Sequence, residues 1–150
     1  MTETNNISYY IFTPANNSEL ERDEVIDFLF HQLDEYGDAR EDIAKCMAYA
    51  LSEAEGKGGA VLVARNDGNI VGALILNNTG MSGYIPENIL VYVAVHNSQR
   101  GKGVGKALVQ LAADNTEGSI ALHVEPQNPA RTLYEKLGFT NKYLEYRLHR

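Results

Sequence analysis

The longest unbroken apolar run in the chain, Ile89-Leu-Val-Tyr-Val-Ala-Val95, leads through His96-Asn-Ser-Gln-Arg100 into Gly101-Lys-Gly103-Val-Gly105-Lys106. Beyond it, Val104, Ala107, Leu108 and Leu111 recur at helical spacing. The apolar run is far shorter than the roughly 20 residues that span a bilayer, so it reads as a strand buried on both faces. A buried strand, a glycine turn and a helix over 103–114 cannot stand alone. Other strands must flank the first, and a second helical layer must cover the opposite face. The 150 residues suffice for one domain. A chain of that length buries roughly 68–70% of the surface its unfolded form exposes, so its core needs no disulfide.

The flanking segments supply the missing parts. Residues 8–12 read as a first strand, rich in aromatic and β-branched residues and closed by Pro14. Ser18 and Glu21 form a capping-box pattern. The helix they open carries Ile26, Leu29, Phe30 and Leu33 on one stripe and ends at Tyr36-Gly37. Asp38 with Glu41 predicts the cap of a second helix, whose stripe is Ala44, Met47, Ala48 and Leu51. Cys46 lies beside that stripe and reads as a small core residue. Residues 60–65 and 70–76 predict a hairpin turning at Asn66-Asp67-Gly68-Asn69. Residues 80–86 read as a loop. Residues 119–124 predict a strand, Pro129 a helix start, Gly138 its stop, and residues 143–148 a closing strand. The expected order is β-α-α-β-β-β-α-β-α-β, a single mixed α/β domain over residues 1–150.

The net charge of −7 argues against a general nucleic-acid binder, which needs a basic face. The charge is uneven. Residues 19–42 hold ten carboxylates against Arg22 and Arg40, whereas residues 96–113 hold no acid and carry Arg100, Lys102 and Lys106. The polar start, Met1-Thr-Glu-Thr-Asn-Asn6, has no signal or transit pattern. A single cysteine cannot pair within the chain and fits a reducing compartment, so a cytoplasmic location without membrane association is expected. No spaced His/Cys/Asp/Glu cluster suggests a metal site.

The glycine segment between strand and helix suits a phosphate. Small residues let backbone approach a ligand, and the free N–H groups of a helix start favour negative charge. A P-loop needs four residues between its glycines and a following Lys-Ser/Thr. Here three lie between Gly101 and Gly105, and Ala107 stands where the hydroxyl should be. A dinucleotide fingerprint counted from Gly101 and Gly103 needs its third glycine at Lys106.

Arg100-x-x-Gly103-x-Gly105, preceded by an apolar strand ending Val93-Ala-Val95, resembles the pyrophosphate loop of the GNAT superfamily of acetyl-CoA-dependent N-acetyltransferases. Asn128-Pro-Ala130-Arg-Thr-Leu-Tyr134 followed by Gly138-Phe139 is similar to that family's second signature. The resemblance covers about residues 89–139. It implies a GNAT-like fold with a mixed, mostly antiparallel sheet of about six or seven strands and about four helices. It also implies that the backbones of Val93 and Val95 pair with the pantetheine arm of acetyl-CoA. Arg100, Gly101, Lys102, Gly103, Val104, Gly105 and Lys106 would then hold the pyrophosphate, and Asn128 would bond the coenzyme.

The implied reaction is acetyl transfer to a primary amine of a small molecule or peptide, by direct attack in a ternary complex. The leaving thiolate needs a proton or a donor, and the resemblance gives that role to Tyr134. Two residues are candidates for the base. His123 stands where the ribosomal-protein branch of the family commonly has a glutamate, and Glu87 precedes the central strand; a water relay from either is a third route. The acidic segment suggests a cationic acceptor, such as a polyamine, an amino sugar or an exposed amino group. A homodimer is a further expectation of the resemblance. The competing readings are a GNAT-like module that binds acyl-CoA without turnover and a nicotinamide-binding domain.

Overall fold

In the computed structural model residues 6–150 are described; the start that bears on a leader sequence, residues 1–5, lies outside them. Nine elements follow one another: β1 (Ile7–Phe12), α1 (Glu19–Leu33), α2 (Arg40–Ala50), β2 (Gly59–Asn66), β3 (Asn69–Asn78), β4 (Asn88–Val95), α3 (Val104–Asp114), β5 (Ile120–Leu122) and α4 (Arg131–Lys136). The strands form one sheet in the order β1-β2-β3-β4-β5. It is antiparallel except for the β4–β5 pair, which is parallel.

Period-two alternation in the central strands sets the layers. Val61, Val63, Ala73 and Ile75 face a layer made by α1 and α2, through Val25, Leu29, Ile43 and Met47. Leu62, Ala64, Leu74 and Leu76 face the opposite way, onto Val104, Leu108, Val109 and Ala112 of α3. Each fully buried aliphatic side chain contributes about 1.5–3 kcal/mol relative to exposure. The β2–β3 hairpin turns as expected: Asp67 (φ 51°) and Gly68 (φ 85°) are both left-handed, the geometry of a two-residue primed turn.

Several local expectations are corrected. The capping box at Ser18 holds, since its hydroxyl accepts from the Glu21 N–H at 3.1 Å. The buried stripe of α1, however, is Val25, Ile26 and Leu29, and Phe30 turns outward under the Arg40 guanidinium. In α2 the buried stripe is Ile43, Cys46, Met47 and Ala50, one position round from the expected one. Cys46 is indeed a core residue. Asp38 does not cap α2: the N-cap is Ala39, with no side-chain bond, and Asp38 instead accepts a hydrogen bond from Tyr92.

The sheet has five strands rather than six or seven. β5 is limited to three residues, and residues 143–148 form no strand among the described residues. Their pattern is strand-like, but among the described residues no strand pairs with them.

β4 packs on both faces as expected, with Tyr92 and Ala94 on one side and Leu90, Val93 and Val95 on the other, but the run is interrupted. Tyr92 pairs with Ile75 and Leu90 with Leu76, which leaves Val91 as an extra residue, 36% exposed. This bulge turns Leu90 towards α3 and Tyr92 towards α1 and α2. Past it the two strands part, because β5 stops at Leu122, opposite Leu90.

Candidate active site

The parting of β4 from β5 exposes main-chain groups. The His96 N–H donates to the Val71 carbonyl at 2.8 Å. Alternation along an antiparallel ladder then turns the amides of Ala94 and Tyr92 towards β3, and those of Val93 and Val95 away from it. Leu122 is the last β5 partner, so this edge of β4 is open. The Arg100 side chain reaches back to it, Nε donating to the Val95 carbonyl at 3.3 Å.

After β4 the chain makes one 3-10 turn, Asn97–Gln99, capped by His96, whose Nδ1 accepts from the Ser98 N–H. Gly101 (φ 77°) and Gly103 (φ 86°) then take the left-handed conformation that other residues adopt at a cost of about 1–2 kcal/mol. They bring the chain into the first turn of α3 with its amides unspent. The Lys102 N–H bonds the Gln99 carbonyl. The N–H groups of Gly101, Gly103, Val104, Gly105 and Lys106 have no acceptor among the described residues. A Cβ placed on Gly101 or Gly103 would enter open space, so both glycines border solvent rather than protein. Five amide donors at a helix start, within a segment whose Arg100, Lys102 and Lys106 are exposed, fit a diphosphate.

Gly105 has a different job. A Cβ there would lie 3.2 Å from Leu133 and 3.5 Å from Val95, so its hydrogen side chain lets α3 sit close to α4. Tyr134 follows Leu133 in the same helix. Tyr134 is 8% exposed and its ring meets Phe139 edge-on at 5.9 Å. The Gly-Phe pair after α4 fixes the ring. The Phe139 N–H bonds the Tyr134 carbonyl and the Gly138 N–H the Glu135 carbonyl, the two bonds of a Schellman cap, with Gly138 at φ 100°. No protein group bonds the Tyr134 hydroxyl among the described residues, and burial pushes its pKa up to about 12. It is a donor at neutral pH. Asn128 opens the turn before α4: its Oδ1 accepts from the Ala130 N–H at 2.9 Å, which leaves its Nδ2 free to donate.

The two base candidates lie apart. His123 is exposed, the first residue past the last β4–β5 pair, at the mouth of the opening. Glu87 precedes β4 at its other end, about 20 Å of strand from Val93. Its carboxylate accepts from the N–H groups of Gly83 (2.9 Å) and Ser119 (2.7 Å), which hold its pKa below the usual carboxylate range. It borders a cavity of about 470 Å3 lined also by Asn78, Met81 and Thr116. Val93 and Val95 thus lie on the open edge of β4, the glycine loop leads from β4 into α3, and His123 follows the last β4–β5 pair, whereas Glu87 lies beyond the far end of β4.

One pair escaped the sequence reading. The hydroxyl of Tyr92, a buried residue beside the bulge, donates to Asp38 Oδ2 at 2.5 Å. It ties the turn between α1 and α2 to β4. Burial, foremost, and the Asp38 bond raise its pKa. A tyrosine inside an apolar strand gives no sign of its partner; only the odd polar hydroxyl in such a run hints that one exists.

The whole arrangement has known counterparts. A family model described as an acetyltransferase (GNAT) domain matches residues 57–141, which include both motifs. The chain belongs to the GNAT family. A 5-NmdU N-acetyltransferase of Pseudomonas phage PaMx11 is 33% identical over 91 residues, 59% of this chain and 63% of that protein, so the chain spans less than two thirds of that relative. The ribosomal-protein-alanine N-acetyltransferase of Brucella melitensis superposes with a TM-score of 0.65 at 22% identity, over 96% of this chain and 99% of its own. An aminoglycoside N-acetyltransferase, AAC(6')-Iy, in complex with CoA superposes with a TM-score of 0.71 at 16% identity, over 100% and 99%. These GNAT structures share the fold described above.

Proposed function

We propose that this GNAT domain transfers an acetyl group from acetyl-CoA to a primary amine. The observation that carries the reading is the set of unspent amides at Gly101 and from Gly103 to Lys106 at the start of α3. The amides and the cations around them take the diphosphate of the donor. The open edge at Val93 and Val95 receives the amide-bearing arm as an added strand would be received, and Asn128 Nδ2 donates to it.

The acceptor amine must be uncharged to attack, and a lysine-like amine has a pKa of about 10.4, so a proton must leave first. His123, exposed just past the last β4–β5 pair, takes that proton directly or through water. The nitrogen then bonds to the thioester carbon, the carbon–sulfur bond breaks, and the second proton of the nitrogen passes through water to the departing sulfur, which leaves as the thiol of CoA. Tyr134 donates to the departing sulfur. A thiol near pKa 8.5 is a stronger acid than this phenol, so the tyrosine stabilises the thiolate mainly by a hydrogen bond. Direct attack suits the site, because Cys46 is buried among core residues and burial lifts its thiol to about 11.

The acidic segment supports a cationic acceptor. The Tyr92–Asp38 bond anchors it against β4 beside the opening, with Asp42 close enough to influence the same phenol. Acetylation of a panel containing a polyamine, an amino sugar, an amino-terminal peptide and 5-NmdU, read by mass, tests the assignment. One acetylated product with stoichiometric thiol release is expected. Acetyl-CoA binding without any acetylated amine would leave the binding-module reading in its place.

A further inference from the structure

At the end of β4 away from the glycine loop lies the cavity of about 470 Å3 that Glu87 borders, where the starts of β2 and β4, the end of β3 and the turn from α3 to β5 come together. That size suits a small organic molecule. The side chains around it offer acceptors almost without donors. Glu87 and Glu117 border it, and among the described residues no Lys, Arg or His does. The Thr116 hydroxyl donates to the Ala112 carbonyl at 2.8 Å, and Asn115 Nδ2 to the Leu111 carbonyl at 2.8 Å, so both keep only acceptors free. Among the lining side chains Asn78 alone keeps an uncommitted donor. Glu87 is held in place. Its two carboxylate oxygens take one N–H each, from Ser119 and Gly83, and Gly118 packs so closely that a Cβ there would fall 2.5 Å from Oε1. Each of those oxygens retains a lone pair.

The deciding residue is Asn88, which is 2% exposed. Its Nδ2 donates to the carbonyls of Glu117 at 2.7 Å and Ser119 at 3.3 Å, which orients the amide. Its Oδ1 points away from them and accepts no hydrogen bond among the described residues. The enclosed side-chain oxygens without a partner belong to Asn77 and Gln99. Asn88 Oδ1 therefore reaches open space, and the open space that Asn88 borders is this cavity. An acceptor on a buried side chain calls for a donor, and the chain supplies none. We propose that this cavity binds a small organic cation through its N–H groups, an alkylammonium or a guanidinium held by Asn88 Oδ1, Glu87 and Glu117. Both groups donate and do not accept, the complement of the side chains here. Their bonds to carboxylates are charge-assisted. A bare metal ion fits less well, because no three His, Cys, Asp or Glu side chains come together among the described residues. The cavity lies at the opposite end of β4 from Val93 and Val95, so the proposal does not rest on the acyl-donor reading.

The test is a titration of the 15N-labelled full chain with agmatine, which ends in a guanidinium and an ammonium, with no acetyl-CoA present. The amides of Gly83, Asn88, Thr116 and Glu117 are expected to shift together and to saturate in the millimolar range. Butanediol, of similar length and without charge, should leave them unmoved. Glu117→Gln is expected to weaken binding by about fivefold, and Glu117→Lys, which brings an ammonium of its own to the cleft, by about tenfold or more. Glu117 is exposed, so both variants should keep the circular dichroism of the unaltered chain. No saturable shift at those four amides, an equal response to butanediol, or undiminished binding in Glu117→Lys overturns the proposal. A response confined to Asp38, Tyr92 and their neighbours also overturns it, because agmatine then sits on the acceptor side of the sheet.

Discussion

The loop at 101–106 and the acidic α1–α2 unit flank the same strand, yet they hold their polar groups in opposite ways. In the loop the groups are main-chain amides, kept free by the left-handed glycines before α3. Around the turn between α1 and α2 they are side-chain carboxylates, and the one beside β4, Asp38, is placed by a single bond from Tyr92. A site made of backbone admits few residue types, so its sequence is constrained. A site made of side chains can be rebuilt from many sequences. The family model follows this division: it matches residues 57–141, with the loop and α4, and leaves out β1, α1 and α2.

Substitutions at the two ends should therefore separate cleanly. The largest effect is expected from Tyr134→Phe, which keeps the ring packed on Phe139 but removes the donor; kcat should fall by about 10²-fold or more with acetyl-CoA affinity unchanged. Equal turnover in a steady-state assay would remove Tyr134 from the chemistry. Next comes Gly103→Glu. Its side chain has room in open space but brings a carboxylate and backbone strain to the amide cradle. Titration calorimetry should show acetyl-CoA binding weakened by about 100-fold, with the fold retained. Asp38→Asn keeps an oxygen for Tyr92 and removes one charge. The KM for a cationic amine should rise several-fold and lose part of its salt dependence, while the KM for acetyl-CoA stays constant.

The smallest effect lies at the excluded carboxylate. Gly83 and Ser119 lower the pKa of Glu87, so its stabilising contribution is present above the ordinary carboxylate range and is lost as pH falls through the folded value. Glu87→Gln should leave kcat intact and lower the melting temperature at neutral pH, with the difference shrinking on acidification. A collapse of kcat would return Glu87 to the list of bases. The Tyr134 phenol has the opposite sign. Its pKa is raised, so the tyrosine stays protonated as pH rises towards about 12, and no alkaline loss of kcat below about pH 10 should trace to it.

The same division explains what could be read before the structure. Helix caps, the primed hairpin turn and the glycine loop rest on local backbone chemistry, and Ser18, Asp67-Gly68 and Gly101-x-Gly103 did what their residue types require. In α1 the expected Ile26 and Leu29 are buried and only Phe30 turns outward, with Val25 in its place, whereas in α2 the most buried positions are one round from the expected stripe, because Phe30 and Ala44 are as apolar as the neighbours that won the core. Which apolar residue faces inward is decided by the helix's roll on the sheet, a tertiary quantity. Asp38 looked like a helix cap because nothing in the sequence shows that Tyr92, 54 positions away, needs an acceptor. The continuous apolar run of β4 concealed the bulge at Val91, on which the opening depends. Residues 143–148 carry a strand pattern but pair with no strand among the described residues, because alternation shows that a segment can form a strand and not whether a neighbour is there to receive it.

The most direct test of the account is an amide-resolved titration of the uniformly 15N-labelled protein with CoA. The N–H resonances of Gly101, Gly103, Val104, Gly105 and Lys106 should move together and saturate, and exchange with solvent at these five positions should slow on binding. If CoA leaves those five amides unmoved while resonances elsewhere respond, the diphosphate is held somewhere else, and the donor site described here is wrong.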